Sequence, residues 1–514
     1  MFARLAVAAL LASTTIVGVA PNPASDGDAG EFVVVSFGTP TNTTGWTITD
    51  SHHRAAFPNR TLSGTVAVST APATTRSRTP HPVVEVTGEL SLSNAGDRVT
   101  IRTRHNRTVD ALSYGRAPTA ERWDGDTWTP LGATDFPPVA ATNVSLSAFV
   151  LPDDPGQPVA AIADADRRLY LAGYTITSTR VTDALVAAAN AGVDVRVLVG
   201  GSVAGGVPRA EITQADRLSA AGVDVRVLGG ERARYRFHHA KYVVADDRAV
   251  VLSENWKPSG SGGHANRGWG VSVADARLAA HLAAVFRADT GWPDAQPWAA
   301  ARDTLTARNR SVASGEFATR FPPVTTQADR AVVHVAPDNA RQGVHALLDN
   351  ATESVVVEQP RLDPHGEFTT ALVDAAKRGV RVRVLLSGRW YNEAQNRNTT
   401  RRLNAVADAH ELDLAAAIVE PRSRFEKVHV KGAVVDGERA VVGSLNWNTQ
   451  AATENREVVV VIDDPAVATY YGRAFRADWR GGAWRLPVGV AVACCVAVTA
   501  GLFAAAARVE FEAG

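Results

Sequence analysis

Cysteine is almost absent from this chain. Cys494 and Cys495 lie side by side in an apolar run near the C-terminus, so the rest of the 514 residues has no disulfide framework, thiolate nucleophile or thiolate metal site. Net charge is missing too: 53 Lys+Arg balance 53 Asp+Glu. Bulk attraction is therefore excluded as a reason to bind a polyanion, and only local grooves remain. Lysine is confined to Lys241, Lys257, Lys377, Lys427 and Lys431, which makes its placement informative. What is present, 45% hydrophobic residues with 41 Gly and 26 Pro, is neither disordered nor collagen-like. The length suits about three domains at roughly 100–200 residues each.

Long hydrophobic runs occur only at the ends. Met-Phe-Ala-Arg4 precedes an apolar, small-residue run from Leu5 to Ala20 and then a polar stretch, the build of a secretory signal peptide, here assigned to residues 1–24. Leu486–Ala507 is uncharged and 22 residues long, enough to cross a hydrocarbon core of about 30 Å at about 1.5 Å per residue. It lacks the polar face of a buried helix. The expectation is one transmembrane helix over 486–507, anchoring an exported protein whose catalytic body lies outside the cell membrane. Arg480 and Arg485 on the outer flank give this orientation no help from the positive-inside rule.

Residues 30–136 carry short β-branched runs, such as Phe32-Val-Val-Val-Ser-Phe and Arg98-Val-Thr-Ile-Arg, cut by Gly, Asn, Asp and Pro. That pattern predicts an all-β sandwich. Gly45-Trp46-Thr-Ile-Thr-Asp50, the Phe57–Leu62 stretch, Leu92-Ser-Asn94-Ala-Gly96-Asp97-Arg-Val99 and Val109-Asp110-Ala-Leu-Ser-Tyr114-Gly115 resemble the lamin-tail domain. The resemblance implies an immunoglobulin-like sandwich that binds or positions and has no chemistry of its own. The Pro-rich residues 137–152 read as a linker.

Beyond it strands alternate with helices, which argues for an α/β sheet, and a unit recurs. Leu185 to Gly200 matches Leu372 to Leu386, and His239-Ala-Lys241 through Asn255-Trp256 matches His429-Val-Lys431 through Asn446-Trp447. An offset of roughly 190 residues is too long for a solenoid and indicates a duplicated domain. The halves are placed at 153–288 and 330–480, with 289–329 as connector and pseudo-twofold symmetry expected between them.

Each copy reads His-x-Lys, four residues, Asp, then a strand ending in Ser-x-Asn-Trp. Alternation along a strand puts His and Lys on one face. Two β-hairpins with incidental His and Lys would repeat neither the Asp nor the Ser-x-Asn, and a buried His and Lys each need a partner. A phosphate supplies one for Lys.

Here the sequence resembles the phospholipase D superfamily. The second copy has His429, Lys431, Asp436, Gly443, Ser444 and Asn446. The first keeps His239, Lys241, Asp246, Ser253 and Asn255 but has a turn one residue shorter and Leu252 in place of Gly. The resemblance implies an α/β fold, a duplicated phospholipase D-like mixed-sheet domain with both motifs on one cleft. It also implies phosphodiester cleavage through a covalent phosphohistidine, with no metal and no cofactor. One imidazole attacks phosphorus while the other protonates the leaving alkoxide and then deprotonates water. The Lys and Asn side chains stabilise the charge on the non-bridging oxygens. Ser253 and Ser444 donate to phosphate or orient neighbours, and Asp246 and Asp436 hold turns or Lys geometry. Glu457, in Asn455-Arg456-Glu457, occupies the position of an acidic residue that bonds the motif His; its counterpart is Gly268. A carboxylate favours imidazolium, so the expectation is His239 as nucleophile and His429 as acid/base oriented by Glu457. A decayed first site is the alternative.

Arginines near the motifs (Arg232, Arg234, Arg236; Arg397, Arg401, Arg402; Arg422, Arg424) suit a groove tracking several phosphates, or are loop arginines of an Arg-rich chain. Tyr235, Phe237, Trp390 and Tyr391 could stack on bases or lie against acyl chains. The sequence therefore points to an exported, membrane-anchored phosphodiesterase, a nuclease ahead of a phospholipid hydrolase or phosphatidyl transferase. A non-catalytic polyanion-binding surface protein is the third reading. The partners expected are a phosphodiester substrate, nucleic acid ahead of phospholipid, and the membrane, with no obligate protein partner.

Overall fold

The computed structural model describes residues 14–23, 28–76, 78–229, 234–261, 263, 265–309, 315, 317–421 and 423–481. In the N-terminal part the short β-branched runs pair into a six-stranded and a five-stranded sheet. Val33, Val35 and Phe37 of one sheet meet Ile48, Val99 and Ile101 of the other in a single core, so this part is a β-sandwich. Gly96 turns the chain at φ +118, and a Cβ there would lie 3.0 Å from the Tyr114 carbonyl oxygen, a position that selects glycine. Thr14–Ala20, assigned from sequence to a leader ending at residue 24, is instead an inner strand paired with Phe32–Asn42. Val19 and Ala20 are fully buried. A Thr-Thr-Ile-Val-Gly-Val-Ala run has the β-branching a buried strand favours as well as the apolarity of a leader.

The remainder is built on one 15-stranded mixed sheet. At its centre the 13-residue strands Val139–Leu151 and Val324–Ala336 pair antiparallel. Outward from the first run Gly268–Ala274, Arg248–Leu252, Tyr242–Ala245, Arg168–Gly173, Asp194–Gly200 and Asp224–Leu228. Outward from the second, in the matching order, run Glu457–Asp463, Arg439–Gly443, Gly432–Val435, Ser354–Gln359, Arg381–Leu386 and Leu414–Ile418. The two expected connectors are therefore corrected: 137–152 holds one central strand, and 289–329 leads through Ala295–Pro297 and a short helix, Trp298–Ala301, into the other. Prolines at 137, 138 and 152 bound the first strand rather than interrupt it, as proline does where no ladder donor is needed.

Helices cover both faces of the sheet. Ala276–Thr290 and Pro465–Trp479 begin in the same way, with the Asp275 carboxylate accepting from the Leu278 N–H at 2.9 Å and Asp464 from the Val467 N–H at 2.8 Å. They share a core that spans both halves of the sheet. On the opposite face Thr179–Asn190 and Arg209–Ala220 cover the first half, and Ala340–Asp349, Glu367–Lys377 and Trp390–His410 cover the second. Val181, Leu185 and Ala188 show the helical spacing of buried positions. Leu486–Ala507 lies outside the described residues, as do residues 1–13; among the described residues no helix is long and apolar enough to cross a membrane.

Candidate active site

His239 and Lys241 stand just before the strand Tyr242–Ala245, and His429 and Lys431 just before Gly432–Val435, so the motif pairs enter strands rather than lying within them. Each is fastened to the other half of the sheet. The His239 N–H donates to the Arg456 carbonyl at 3.0 Å, and the His429 N–H donates to the Arg267 carbonyl at 2.8 Å. Lys431 Nζ donates to the Ser253 carbonyl at 3.2 Å, while Lys241 Nζ donates to the His239 carbonyl. Both ammoniums are buried against main-chain oxygens close to the imidazoles.

The carboxylates reverse the expected pairing. Glu457 holds His239, not His429: its Oε1 and Oε2 lie 2.8 and 2.9 Å from His239 Nδ1. A residue adjacent in sequence to one motif thus serves the other, because the halves face each other across the sheet. His429 Nδ1 faces Glu254 Oε1 at 3.4 Å, a residue in Ser253-Glu254-Asn255 that sequence reasoning passed over. Its signal was a lone acid at the end of an otherwise apolar buried strand.

Burial governs the protonation of these groups. It pushes the His239 imidazole down to about 4 against the opposing pull of Glu457, and Lys241 down to about 7. His429 is held well below its ordinary value by burial and by the Lys431, Lys427 and Lys241 ammoniums, and Lys431 is lowered by burial and Lys241. Burial raises Glu254. For Glu457 burial acts upward, but His239, Lys241 and Ser444 outweigh it and keep the carboxyl below its usual range. Desolvated ammoniums beside neutral imidazoles form a site that gains most from an entering anion.

The remaining motif residues divide by position. Ser253 Oγ accepts from the Trp269 N–H at 2.9 Å and Ser444 Oγ from the Val458 N–H at 3.0 Å, and both serines are fully buried. Both hydroxyl oxygens thereby tie down the neighbouring strand. Asn255 lines a cavity of about 460 Å³ with Glu254 and Lys257, joined from the other half by Arg389, Lys427 and His429; Asn446 is not among its lining residues. Asp246 and Asp436 lie at the far ends of their strands in left-handed turns, φ +51 and +55, and their carboxylates accept from backbone N–H groups of 166–168 and 352–354.

The arginines expected to track phosphates are largely engaged elsewhere. Arg236 pairs with Glu454 at 3.3 Å, Arg397 with Glu393 at 2.6 Å, and Arg424 is buried on Asp478 at 2.5 Å. Arg234 donates to the Ala133 carbonyl and stacks on Trp292. Arg232 and Arg422 lie outside the described residues. Of the four aromatics, Tyr235 is buried, whereas Trp390 and Tyr391 are 79% and 49% exposed beside the cavity. Lys427 Nζ donates to Tyr391 OH at 2.9 Å.

A family model described as "Cardiolipin synthase, PLD-like domain" matches residues 159–290 and 344–479, together more than half of the chain. Mitochondrial cardiolipin hydrolase from Xenopus tropicalis is 33% identical over 103 residues, which is 20% of this chain and 44% of that protein. Phospholipase D from Rickettsia conorii is 29% identical over 124 residues, 24% of this chain and 56% of that protein. The chain thus spans about half the length of these curated relatives. Among solved structures, phosphatidylserine synthase from Haemophilus influenzae Rd KW20 superposes with a TM-score of 0.47 at 13% identity, covering 64% of this chain and 86% of that one.

Proposed function

The chain belongs to the family described as cardiolipin synthase, PLD-like domain, and from that membership and the paired histidines we propose a phosphodiesterase that works through a phosphohistidine without a metal. The observation that carries this reading is the crosswise placement of two imidazoles, His239 buried and His429 half-buried, each facing a carboxylate, beside two buried lysine side chains. His239 is the nucleophile. Its Nδ1–H bond to Glu457 leaves the Nε2 lone pair free, and the carboxylate balances the positive charge of an N-phosphorylated ring. The phosphodiester anion entering between the lysines favours the imidazolium form of His429, which takes up a proton with it. Nε2 of His239 then bonds to phosphorus as the phosphorus–oxygen bond to the leaving group breaks, and His429 gives that alkoxide its proton. His429 then takes a proton from water, whose oxygen bonds to phosphorus as the phosphorus–nitrogen bond breaks. The products are an alcohol and a phosphate monoester. Lys241, Lys431 and Asn255 stabilise the non-bridging oxygens.

The substrate class we propose is a phospholipid headgroup diester. The cavity gathers Lys257, Arg389 and Lys427, three of the arginines that would track a polynucleotide, Arg236, Arg397 and Arg424, are held by carboxylates, and an exposed Trp-Tyr pair flanks the cavity, a combination suited to the headgroup region of a bilayer. The relatives named cardiolipin hydrolase and phospholipase D agree with this choice, which reverses the order favoured by the sequence alone. The sandwich is proposed as a lamin-tail-like positioning domain, the two halves as pseudo-twofold mates, and the protein as exported and anchored through Leu486–Ala507.

The test is incubation of the full chain in detergent and EDTA with phosphatidylglycerol or cardiolipin vesicles and, separately, with labelled DNA, beside H239A and H429A. Headgroup release that resists the chelator and vanishes in both variants, with phosphate trapped on His239, is expected. A phosphoenzyme on His429 would reverse the two roles. Cleavage of DNA alone would overturn the lipid assignment, and inertness on both would leave a polyanion-binding module.

A further inference from the structure

In the second half the ladder pairs Gly443 with Val459; in the first, Leu252 pairs with Gly270. The glycine has changed strands. At Gly270 a Cβ would lie 2.7 Å from Leu252 Cδ2, and at Gly443 a Cβ would lie 2.8 Å from Val459 Cα, so each pair has room for one large side chain only. Both ladders continue one step further, with the Ser253 N–H on the Trp269 carbonyl at 2.9 Å and the Ser444 N–H on the Val458 carbonyl at 2.9 Å. The next cross-strand positions are then Glu254 opposite Gly268 and Leu445 opposite Glu457.

The exchange recurs there, now with charge. A Cβ on Gly268 would collide with Glu254 Cγ, and Glu254 fills that space, 1% exposed. Asn266 Nδ2 donates to Glu254 Oε2 at 3.2 Å, fixing the carboxyl, while Oε1 has no hydrogen-bond partner and faces His429 Nδ1 at 3.4 Å. Across the site Asn455 Nδ2 donates to Glu457 Oε1 at 3.1 Å, so the two carboxyls are braced alike although they sit on opposite strands of their hairpins.

We propose that Glu254 is the positioning residue for His429, a carboxylate transposed across the hairpin from position 268 to position 254, so that the first motif is complete rather than decayed. This rests on the reading of His429 as an acting imidazole. The groups that face His429 are Glu254, the Ser253 carbonyl, Lys431, Lys427, Lys241 and His239. The Ser253 carbonyl, 3.1 Å from Nδ1, can accept its proton, but all the charged partners except Glu254 oppose an imidazolium, so Glu254 is the one charged group there that favours the protonated ring an acid needs.

Two measurements on the full chain test it. The first follows hydrolysis of bis(p-nitrophenyl) phosphate against pH for the parent, H429A, E254Q, E254L, G268E and E254L/G268E, each checked for its unfolding midpoint. E254Q and E254L should lose at least tenfold in kcat. E254L/G268E, which rebuilds the Leu445/Glu457 arrangement in the first half, should recover most of that loss. Activity of E254Q within twofold of the parent across the pH range, or equal losses with no recovery in the double variant, would overturn the assignment. The second needs no turnover: the pH dependence of diethyl pyrocarbonate modification at His429, read by mass spectrometry. The apparent His429 pKa should fall in E254Q, and an unchanged value would overturn the assignment. Full activity in H429A would instead remove the function proposed for the site and leave the pKa comparison to decide on Glu254.

Discussion

Asp436 accepts from the backbone N–H groups of Thr352, Glu353 and Ser354, with distances of 2.8 Å to Glu353 and 3.0 Å to Ser354. Burial works against its charge, yet these donors prevail and hold the carboxyl below its usual range. Asp246 repeats the arrangement on the N–H groups of Asp166, Arg167 and Arg168. The motif aspartates therefore clip a strand start to a turn, and D436A should destabilise the fold by about 1–3 kcal/mol while leaving kcat per folded molecule unchanged. A folded-state pKa below the unfolded value of about 3.9 contributes stability that is complete above that pH and is lost as pH falls through the folded value. Urea midpoints below about pH 4 should accordingly drop more steeply in the parent than in D436N. The residue types of the site were legible because the motif is repeated and lysine is rare. Their pairing was not. Adjacency in the chain ties Glu457 to His429, whereas packing of the halves hands it to His239, and the same crossing hid Glu254.

The alternation of strands with helices held in the repeated unit, where Leu185 to Gly200 and Leu372 to Leu386 each run from a helix into a strand, and hydrophobic runs were misread where prolines did the framing. Val139–Leu151 shows the reason: its prolines stand outside the ladder, and Phe149 is fully buried against Gly270. F149A should lower the unfolding free energy by about 3–5 kcal/mol, where a substitution in a linker would cost nothing measurable by chemical denaturation. The opposite misreading struck Thr14–Ala20, whose apolarity satisfied a leader as well as a strand. A mature chain that began at Asn22 would lack an inner strand of the sandwich. Mass spectrometry of the protein isolated from its native cells should place any leader cut before Thr14, and a mature N-terminus after Ala20 would contradict the role of this strand.

Three parts of the molecule meet at one guanidinium. Arg456 is fully buried and donates to Asp289 at 2.9 Å and to Tyr235 OH in the first half, to the Ala336 carbonyl and Asp338 at 3.0 Å in the second, and to Thr134 Oγ1 at 2.8 Å below the sandwich. Arg267 makes the corresponding fork in the other half, on Asp153, Asp478 and the Leu151 carbonyl, without reaching the sandwich. Nothing in the sequence announced these forks beyond an Asn-Arg dipeptide in each copy, because their acids come from distant segments. A buried pair broken from one side leaves an uncompensated charge, a loss of about 3–5 kcal/mol. R456A strands Asp289 and Asp338 together, so it should cost at least as much as R267A, which strands Asp153 and Asp478. The two should differ in kind. Since the His239 N–H is bonded to the Arg456 carbonyl and the same side chain reaches Thr134, R456A should loosen the sandwich from the sheet as well as the site. Limited proteolysis should then cut R456A between the sandwich and the first central strand, near residues 134–138, at a protease concentration that leaves R267A intact there. Equal resistance of that segment in both variants would show that Arg456 secures the two halves alone.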